Sequence, residues 1–290
     1  MERSTEINRL TWALAITAVY FFAEVIGGLL TNSLALLSDA GHMLSDIAAL
    51  GLSLFAFRMA RRPATSKQTY GYHRLEILAA LINGLALWLI VGVVFHAAYN
   101  RLFDPPQVES RGMLVIAVIG LVVNIVAGVV LFGSHHESLN VRGAFLHVIG
   151  DALGSVGAIV AGLTMVLTGW NLADPIFSIL IGFLILYTSW ALIKESAVIL
   201  MQSVPSEINL ERVQNAIEQV RGVVQVHDLH VWSVTSGVFT LTAHAVIDNG
   251  EDFHKVLNEI EGVLKDHFQI EHTTIQLETE DRVGREFQAF

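Results

Sequence analysis

Residues 33–46 read SLALLSDAGHMLSD, and they place His42 and Asp46 within a long segment that is mainly apolar. The same H-x-x-x-D pattern recurs at residues 147–151, which read HVIGD. A spacing of four residues places both side chains on one face of a helix, with their Cβ atoms about 5–6 Å apart. Two such helices that face each other would bring two imidazoles and two carboxylates to one point.

The composition of the 290-residue chain indicates a membrane protein. Hydrophobic residues make up 53% and charged residues 15%, against roughly 25% charged residues in soluble proteins, and the mean hydropathy is +0.56. A bilayer core is crossed by about 20 apolar residues. Segments of that kind lie near residues 10–30, 34–57, 77–99, 112–132, 144–168 and 174–200. The sequence therefore predicts an α-helical membrane protein with six transmembrane helices.

The repeated pattern predicts a metal site inside the membrane. Ionisable residues within a membrane span are costly and mark functional sites. The chain has no cysteine, so any metal must be held by His, Asp or Glu. Two imidazole nitrogens and two carboxylate oxygens form a tetrahedral set that suits zinc. The predicted ligands are His42, Asp46, His147 and Asp151.

Two features beside these ligands bear on the site. Gly150 and Gly154 form a G-x-x-x-G pattern on the fifth span, and such small residues let helix backbones approach closely. Asp39 shares the helix face of His42, where it would orient His42, collect cations at the pore mouth, or lie at a solvated helix end.

Glu24 adds a further ionisable residue in the first span. Its candidate roles are a proton or network partner of the site, and a packing contact with Asn83 or Asn124. The sequence does not decide between these roles.

The charge distribution divides the chain at residue 202. Residues 1–202 carry 11 Lys and Arg against 12 Asp and Glu, whereas residues 203–290 carry 6 against 15, a net charge of −9. We therefore expect a transmembrane domain over 1–202 and a soluble acidic domain over 203–290. Lys and Arg concentrate in the N-terminal tail and in the connections after the second and fourth spans, which predicts that both termini face the cytoplasm.

The pattern of the soluble domain predicts the order α-β-β-α-β. Ser206 is the expected N-cap of a first helix, and residues 223–234 and 238–247 alternate like two strands of a hairpin that turns at Ser236 and Gly237. A second amphipathic helix begins near Phe253, and a last strand covers residues 273–278. These elements would form a small open sheet with helices on one face, an α+β domain.

Four stretches together resemble the motifs of the cation diffusion facilitators, in their zinc-transporting branch. They are SLALLSDAGHMLSD at 33–46, YGYHRLE at 70–76, HVIGD at 147–151 and VHDLHVW at 226–232. The resemblance implies a homodimeric metal-for-proton antiporter of the bacterial inner membrane. It also implies a cytoplasmic domain with a metallochaperone-like, ferredoxin-like fold.

The same resemblance implies a second zinc site, in the cytoplasmic domain. Its ligands carry over to His227, His244 and Glu278, with His272 as a further candidate. His244 has the strand parity of Thr240 and Thr242, so it projects from the polar face of its strand.

Two regions depart from the family pattern. Relatives often carry a long His-rich loop between the fourth and fifth spans, where this chain has only His135 and His136. Some relatives bind metal between the second and third spans, where this chain has only His73, so we expect no metal site there. The roles of these three histidines stay open.

The predicted function is export of Zn²⁺ in exchange for protons by alternating access. A metal-binding histidine must be neutral and a carboxylate ionised, so protons and metal compete for the same four ligands. Selectivity among zinc, cadmium, cobalt and nickel stays undecided. Besides protons and membrane lipid, the expected partner is a second copy of the chain.

Other functions are less consistent with the sequence. A membrane metalloenzyme would need an open coordination position, and the chain has no H-E-x-x-H motif. A membrane-anchored metal sensor is a further alternative. Nucleic acid is excluded as a partner because the net charge is −10, whereas nucleic-acid affinity comes from Lys and Arg.

Overall fold

The computed structural model describes residues 2–60, 62–132 and 139–279. Its first part is a set of six long helices. They are α1 (Glu2–Thr31), α2 (Leu34–Ala60), α3 (Arg74–Phe103), α4 (Ser110–Phe132), α5 (Leu139–Thr168) and α6 (Ala173–Leu200). Within the described residues, four helical segments are long and apolar enough to cross a membrane, namely 74–103, 110–129, 150–168 and 173–200, and residues 18–31 form a shorter apolar helix. The helical membrane domain is confirmed.

Residues 1–52 and 82–192 form one compact unit. Its core combines large side chains such as Leu36 and Met113 with many buried alanines, among them Ala158 and Ala161. Without a hydrophobic driving force in lipid, helices associate where small residues permit close van der Waals contact. The apolar side chains on the outer faces of α3 and α4 are largely exposed, as expected of surfaces that contact lipid.

The N-terminus of α2 is fixed by Asp174 of α6. Asn32 has a left-handed backbone conformation (φ 55°), which allows the chain to turn sharply between α1 and α2. The buried Asp174 carboxylate then accepts hydrogen bonds from the Ser33 hydroxyl at 2.7 Å and from the amides of the next two residues at 2.8 and 3.1 Å. Because these amides have no partner within the helix, Asp174 caps the helix that carries His42.

Residues 53–81 and 193–290 form the second compact unit. It contains α7 (Leu210–Glu218), β1 (Val223–Thr235), β2 (Val238–Ile247), α8 (Phe253–Phe268) and β3 (His272–Glu278), in the expected order. Strand β2 lies between the other two, antiparallel to β1 and parallel to β3. Apolar residues of α7 and α8, such as Ile217 and Ile260, pack against Leu241 of β2 in a single core.

The start of α7 differs from the expectation. The N-cap is Asn209, whose side chain accepts a hydrogen bond from the Arg212 amide at 3.0 Å, and not Ser206. Residues 205–208 instead form a turn closed by a hydrogen bond from the Ile208 amide to the Pro205 carbonyl. Serine and asparagine are similarly good caps, so this turn decides where the helix begins.

Candidate metal sites

Helices α2 and α5 bring one residue of each H-x-x-x-D pattern together. The Nε2 atom of His42 lies 3.7 Å from Oδ1 of Asp151, and the Asp151 side chain is only 4% exposed. Bonds of about 2.0–2.1 Å in a tetrahedral zinc site place neighbouring ligand atoms about 3.3–3.4 Å apart. The observed separation is longer by a few tenths of an ångström, so this pair suits a divalent cation between α2 and α5.

The other two predicted ligands of this site are not located. Asp46 and His147 belong to α2 and α5, but their side chains lie outside the described part of the structure. The two helix backbones place them one turn from His42 and Asp151, since each lies four positions from its partner. The four-ligand site therefore stays a prediction.

Asp39 is buried against α5. Its side chain is 3% exposed, so it does not lie at a solvated helix end. A Cβ atom added at Gly154 would lie 2.9 Å from its Oδ1 atom. Gly154, the second glycine of the G-x-x-x-G pattern, thus leaves room for the Asp39 carboxylate.

Glu24 forms a buried polar contact within the same unit. The Tyr20 hydroxyl lies 3.1 Å from its Oε1 atom and donates to it, and the Glu24 side chain is buried. Asn83 accepts a hydrogen bond from Ser45. Asn124 donates to Ser155. Both hydrogen bonds join an asparagine to a serine, so they give no support to a packing contact of Glu24 with either asparagine.

The predicted ligands of the C-terminal domain form a compact group on one face of the sheet. His227 of β1 lies opposite His244 of β2, with ring centroids 5.2 Å apart. The parallel pairing of β3 brings Glu278 beside them: His227 Nε2 lies 3.4 Å from its Oε2, and His244 Nδ1 lies 3.4 Å from its Oε1. One ligand atom from each residue lies within 4.8 Å of the others.

These distances test whether a metal would fit. Each histidine nitrogen lies 3.4 Å from a different oxygen of Glu278, which is close to the distance of about 3.3–3.4 Å between ligand atoms in a tetrahedral zinc site. Glu278 is buried, and the side-chain amide of Gln276 donates a hydrogen bond to its Oε1 atom. Its Oε2 atom is buried without a hydrogen-bond donor among the described residues, and such an oxygen is costly unless a cation compensates it. The residues present thus fit zinc, which would take one nitrogen from each histidine and oxygen from Glu278.

The remaining histidines lie elsewhere. His272 is exposed at the start of β3, six residues before Glu278, and its ring lies 5.9 Å from that of Tyr70. His73 is exposed in the connection before α3. The predicted candidates His135 and His136 fall outside the described residues.

Asp228 is a neighbour that the sequence did not single out. Its Oδ1 atom lies 2.9 Å from His230 Nε2, and its Oδ2 atom lies 3.9 Å from His244 Nε2. The only sequence signal is its position between the two histidines of HDLH. The contact depends on a local irregularity of β1 that strand alternation does not predict.

Comparison with known proteins identifies the family. Residues 10–201 match the family described as "Cation efflux transmembrane domain", and residues 205–280 match "Cation efflux protein, cytoplasmic domain". The chain belongs to the cation efflux family. This confirms the resemblance to the cation diffusion facilitators, and the protein is a multi-pass membrane transporter and not an enzyme.

Several curated relatives match over nearly the whole chain. The metal cation efflux system protein CzcD of Cupriavidus metallidurans is 45% identical over 96% of this chain and 86% of its own length. The cadmium, cobalt and zinc/H⁺-K⁺ antiporter of Bacillus subtilis is 47% identical over 90% and 85%. The zinc transporter ZitB of Escherichia coli is 43% identical over 93% and 87%.

A solved structure also matches part of the chain. The metal-bound C-terminal domain of the CzcD transporter from Cupriavidus metallidurans is 42% identical, and it covers 24% of this chain and 99% of that chain with a TM-score of 0.24.

Proposed function

We propose that this protein exports zinc from the cytoplasm in exchange for protons. The transport ligands are His42, Asp46, His147 and Asp151. The contact of His42 with Asp151 between α2 and α5 carries the proposal, because it joins halves of two motifs that are more than 100 residues apart. Relatives with the names zinc transporter and cadmium, cobalt and zinc/H⁺-K⁺ antiporter support it.

The donor set favours zinc over harder cations. Imidazole nitrogen suits zinc, copper and nickel, whereas carboxylate, carbonyl and water oxygens suit magnesium, calcium and manganese. A site with two imidazoles and two carboxylates lies between these classes and can form the tetrahedral geometry of zinc. The name of the Bacillus subtilis relative adds cadmium and cobalt as candidate substrates of the same site.

Exchange follows from competition between metal and protons at one set of atoms. Zinc binding requires a neutral imidazole and an ionised carboxylate, so it releases protons, and protonation releases zinc. The same imidazole nitrogens and carboxylate oxygens thus hold either protons or the metal ion. Alternation of the helices between inward-open and outward-open states then moves metal one way and protons the other.

The protein acts as a homodimer in the inner membrane, with both termini in the cytoplasm. The excess of Lys and Arg in alternate connections supports this orientation. Zinc held by His227, His244 and Glu278 serves the cytoplasmic domain separately from transport, because these residues all belong to the second compact unit.

The test is zinc flux in proteoliposomes across an imposed pH gradient. We expect zinc to move against the direction of proton flow, and Asp151→Asn to abolish the flux. The matched control is Asp104→Asn, which makes the same change at an exposed residue after α3. Normal zinc flux through purified Asp151→Asn would overturn the assignment of the transport site. A zinc flux that does not depend on the pH gradient would overturn proton exchange.

A potassium gradient imposed at equal pH tests the other counter-ion in the name of the Bacillus subtilis relative. The sensor alternative is tested in the same vesicles, because a sensor moves no metal.

A further inference from the structure

Asp228 lies at a bulge in β1. His227 pairs with His244, but the next paired residue of β1 is His230, which lies opposite Thr242. The chain advances three residues on β1 but only two on β2 between these pairs. Strand β1 therefore contains one extra residue, which defines a β-bulge. Asp228 has a left-handed backbone conformation with φ 49°, which aspartate and asparagine tolerate better than most residues.

The bulge directs the Asp228 carboxylate to the far side of the His244 ring. His244 presents Nδ1 to Glu278 at 3.4 Å and Nε2 to Asp228 at 3.9 Å. The ring therefore lies between two carboxylates, one of which belongs to the metal-binding group. The other carboxylate oxygen of Asp228, Oδ1, is hydrogen-bonded to His230 Nε2 at 2.9 Å.

We propose that Asp228 is a positioning residue that orients His244 to bind metal through Nδ1. This inference rests on the proposed zinc site of the cytoplasmic domain. A neutral imidazole carries one N–H group, and the hydrogen bond of one ring nitrogen determines which nitrogen is left to bind metal. Nε2 is the ring nitrogen of His244 that faces Asp228, at 3.9 Å. When the Asp228 carboxylate accepts the Nε2–H group in the metal-bound protein, the lone pair of Nδ1 faces Glu278. His230, which is hydrogen-bonded to Oδ1 of Asp228, limits how far this side chain can rotate.

The distances support an indirect role for Asp228. Its Oδ2 atom approaches the ring nitrogen that points away from Glu278, and among the described residues the metal-binding group consists of His227, His244 and Glu278. The 3.9 Å separation exceeds a normal hydrogen bond by about 1 Å. The Asp228 side chain is 53% exposed, so it has room to rotate through that distance. Metal-ligating histidines commonly donate their second N–H group to a carboxylate in this way.

The experiment measures zinc affinity of the purified full-length protein in detergent by calorimetric titration. The binding event that disappears in His244→Ala defines the cytoplasmic-domain site. In Asp228→Gly, which keeps the left-handed backbone but removes the carboxylate, we expect Kd to rise about 10–100-fold. Asp228→Asn keeps a hydrogen-bond acceptor and should restore most of the affinity. Asp248→Gly makes the matched change at an exposed residue after β2 and should leave Kd unchanged.

A spectroscopic readout separates orientation from folding. In the cobalt-substituted protein, a histidine bound through Nδ1 has a paramagnetically shifted Nε2–H resonance, which exchanges slowly with water while a carboxylate holds it. We expect this resonance in the wild type, and its loss through fast exchange in Asp228→Gly. His230→Ala should broaden it without removing a ligand.

Each outcome has a distinct meaning. If His244→Ala removes no binding event, the proposed cytoplasmic zinc site fails. If it removes one but Asp228→Gly binds zinc with unchanged Kd, only the role of Asp228 is overturned. If Asp228→Asn is as weak as Asp228→Gly and the cobalt spectrum reports one ligand fewer, Asp228 binds the metal directly and the positioning role is wrong.

Discussion

His42 and Asp151 lie on different helices, and the candidate metal site needs ligands from both. On one helix, a histidine and an aspartate four positions apart can touch, but two ligands leave a metal ion half coordinated. The 3.7 Å contact is made between the two helices instead. The imidazole of one motif and the carboxylate of the other therefore face the same point, and a cation there would link α2 to α5.

The imidazole of His42 should set the preference for zinc over manganese. In His42→Asp a third carboxylate replaces one imidazole, and oxygen ligands suit harder ions. We expect the zinc-to-manganese transport ratio in competition assays to fall roughly tenfold, the lower end of effects seen around metal ligands, while some transport continues. His254→Asp, at an exposed position of α8, is the control. An unchanged ratio in His42→Asp would remove His42 from the ligand set.

At the scale of elements, the buried charge of Asp174 determines where α2 begins. The carboxylate binds the first turn of α2 and also forms a salt bridge of 3.2 Å with Arg101 of α3. Asp174 thus joins α2, α3 and α6 at one end. A buried charge is tolerated because every partner compensates it.

Asp174→Ala should destabilise the protein strongly. It leaves the Arg101 charge and two backbone amides without their partner, and removing one member of a buried pair costs about 3–5 kcal/mol. Ser33→Ala removes only one hydrogen bond and should cost about 1 kcal/mol. In thermal unfolding in detergent, the melting temperature of Ser33→Ala should therefore lie slightly below that of the wild type, and that of Asp174→Ala far below both. Equal melting temperatures for the two variants would contradict the capping role.

The contact of α2 with α5 depends on Gly154. In Gly154→Ala the new methyl group would meet the buried Asp39 carboxylate at 2.9 Å, so either this carboxylate or the helix α5 must shift. Either movement disturbs the packing between α2 and α5 beside His42 and Asp151. We expect zinc flux to fall substantially while the protein still inserts and folds.

Gly157→Ala is the matched control for this change. It lies three residues along α5, where a Cβ atom would meet Ile181 at an ordinary contact distance of 3.6 Å. If both variants transport zinc equally, the close approach at Gly154 has no role in the site.

Local patterns in the sequence predict elements better than the contacts between distant elements. Apolar length predicts the helices, alternation predicts β1 and β2, and Gly237, with φ 72°, takes the expected turn. The repeat of H-x-x-x-D indicates that α2 and α5 meet. No local signal links Asp174 to residues 140 positions earlier, and the bulge at Asp228 breaks the alternation from which strand faces are predicted.

The whole molecule presents a strongly acidic C-terminal part. Residues 203–290 carry a net charge of −9, so two copies in a homodimer repel each other when no cation is bound. Bound zinc neutralises part of that charge, and a ligand that favours the paired state stabilises it by linkage. Zinc should therefore draw the two cytoplasmic domains of the proposed dimer together.

The distance between the two C-terminal domains can be measured by fluorescence resonance energy transfer between two labelled copies of the full-length protein. The chain has no cysteine, so Glu261→Cys on the exposed face of α8 provides a single labelling site. We expect transfer to increase with zinc and to return to its starting value with a chelator. High salt without zinc should give a partial increase, because it screens repulsion between exposed charges.

His227→Ala combined with His244→Ala should abolish the zinc response yet leave transport measurable, because the ligands between α2 and α5 remain. Equal transfer with zinc and with chelator would show that zinc does not control the distance between the domains.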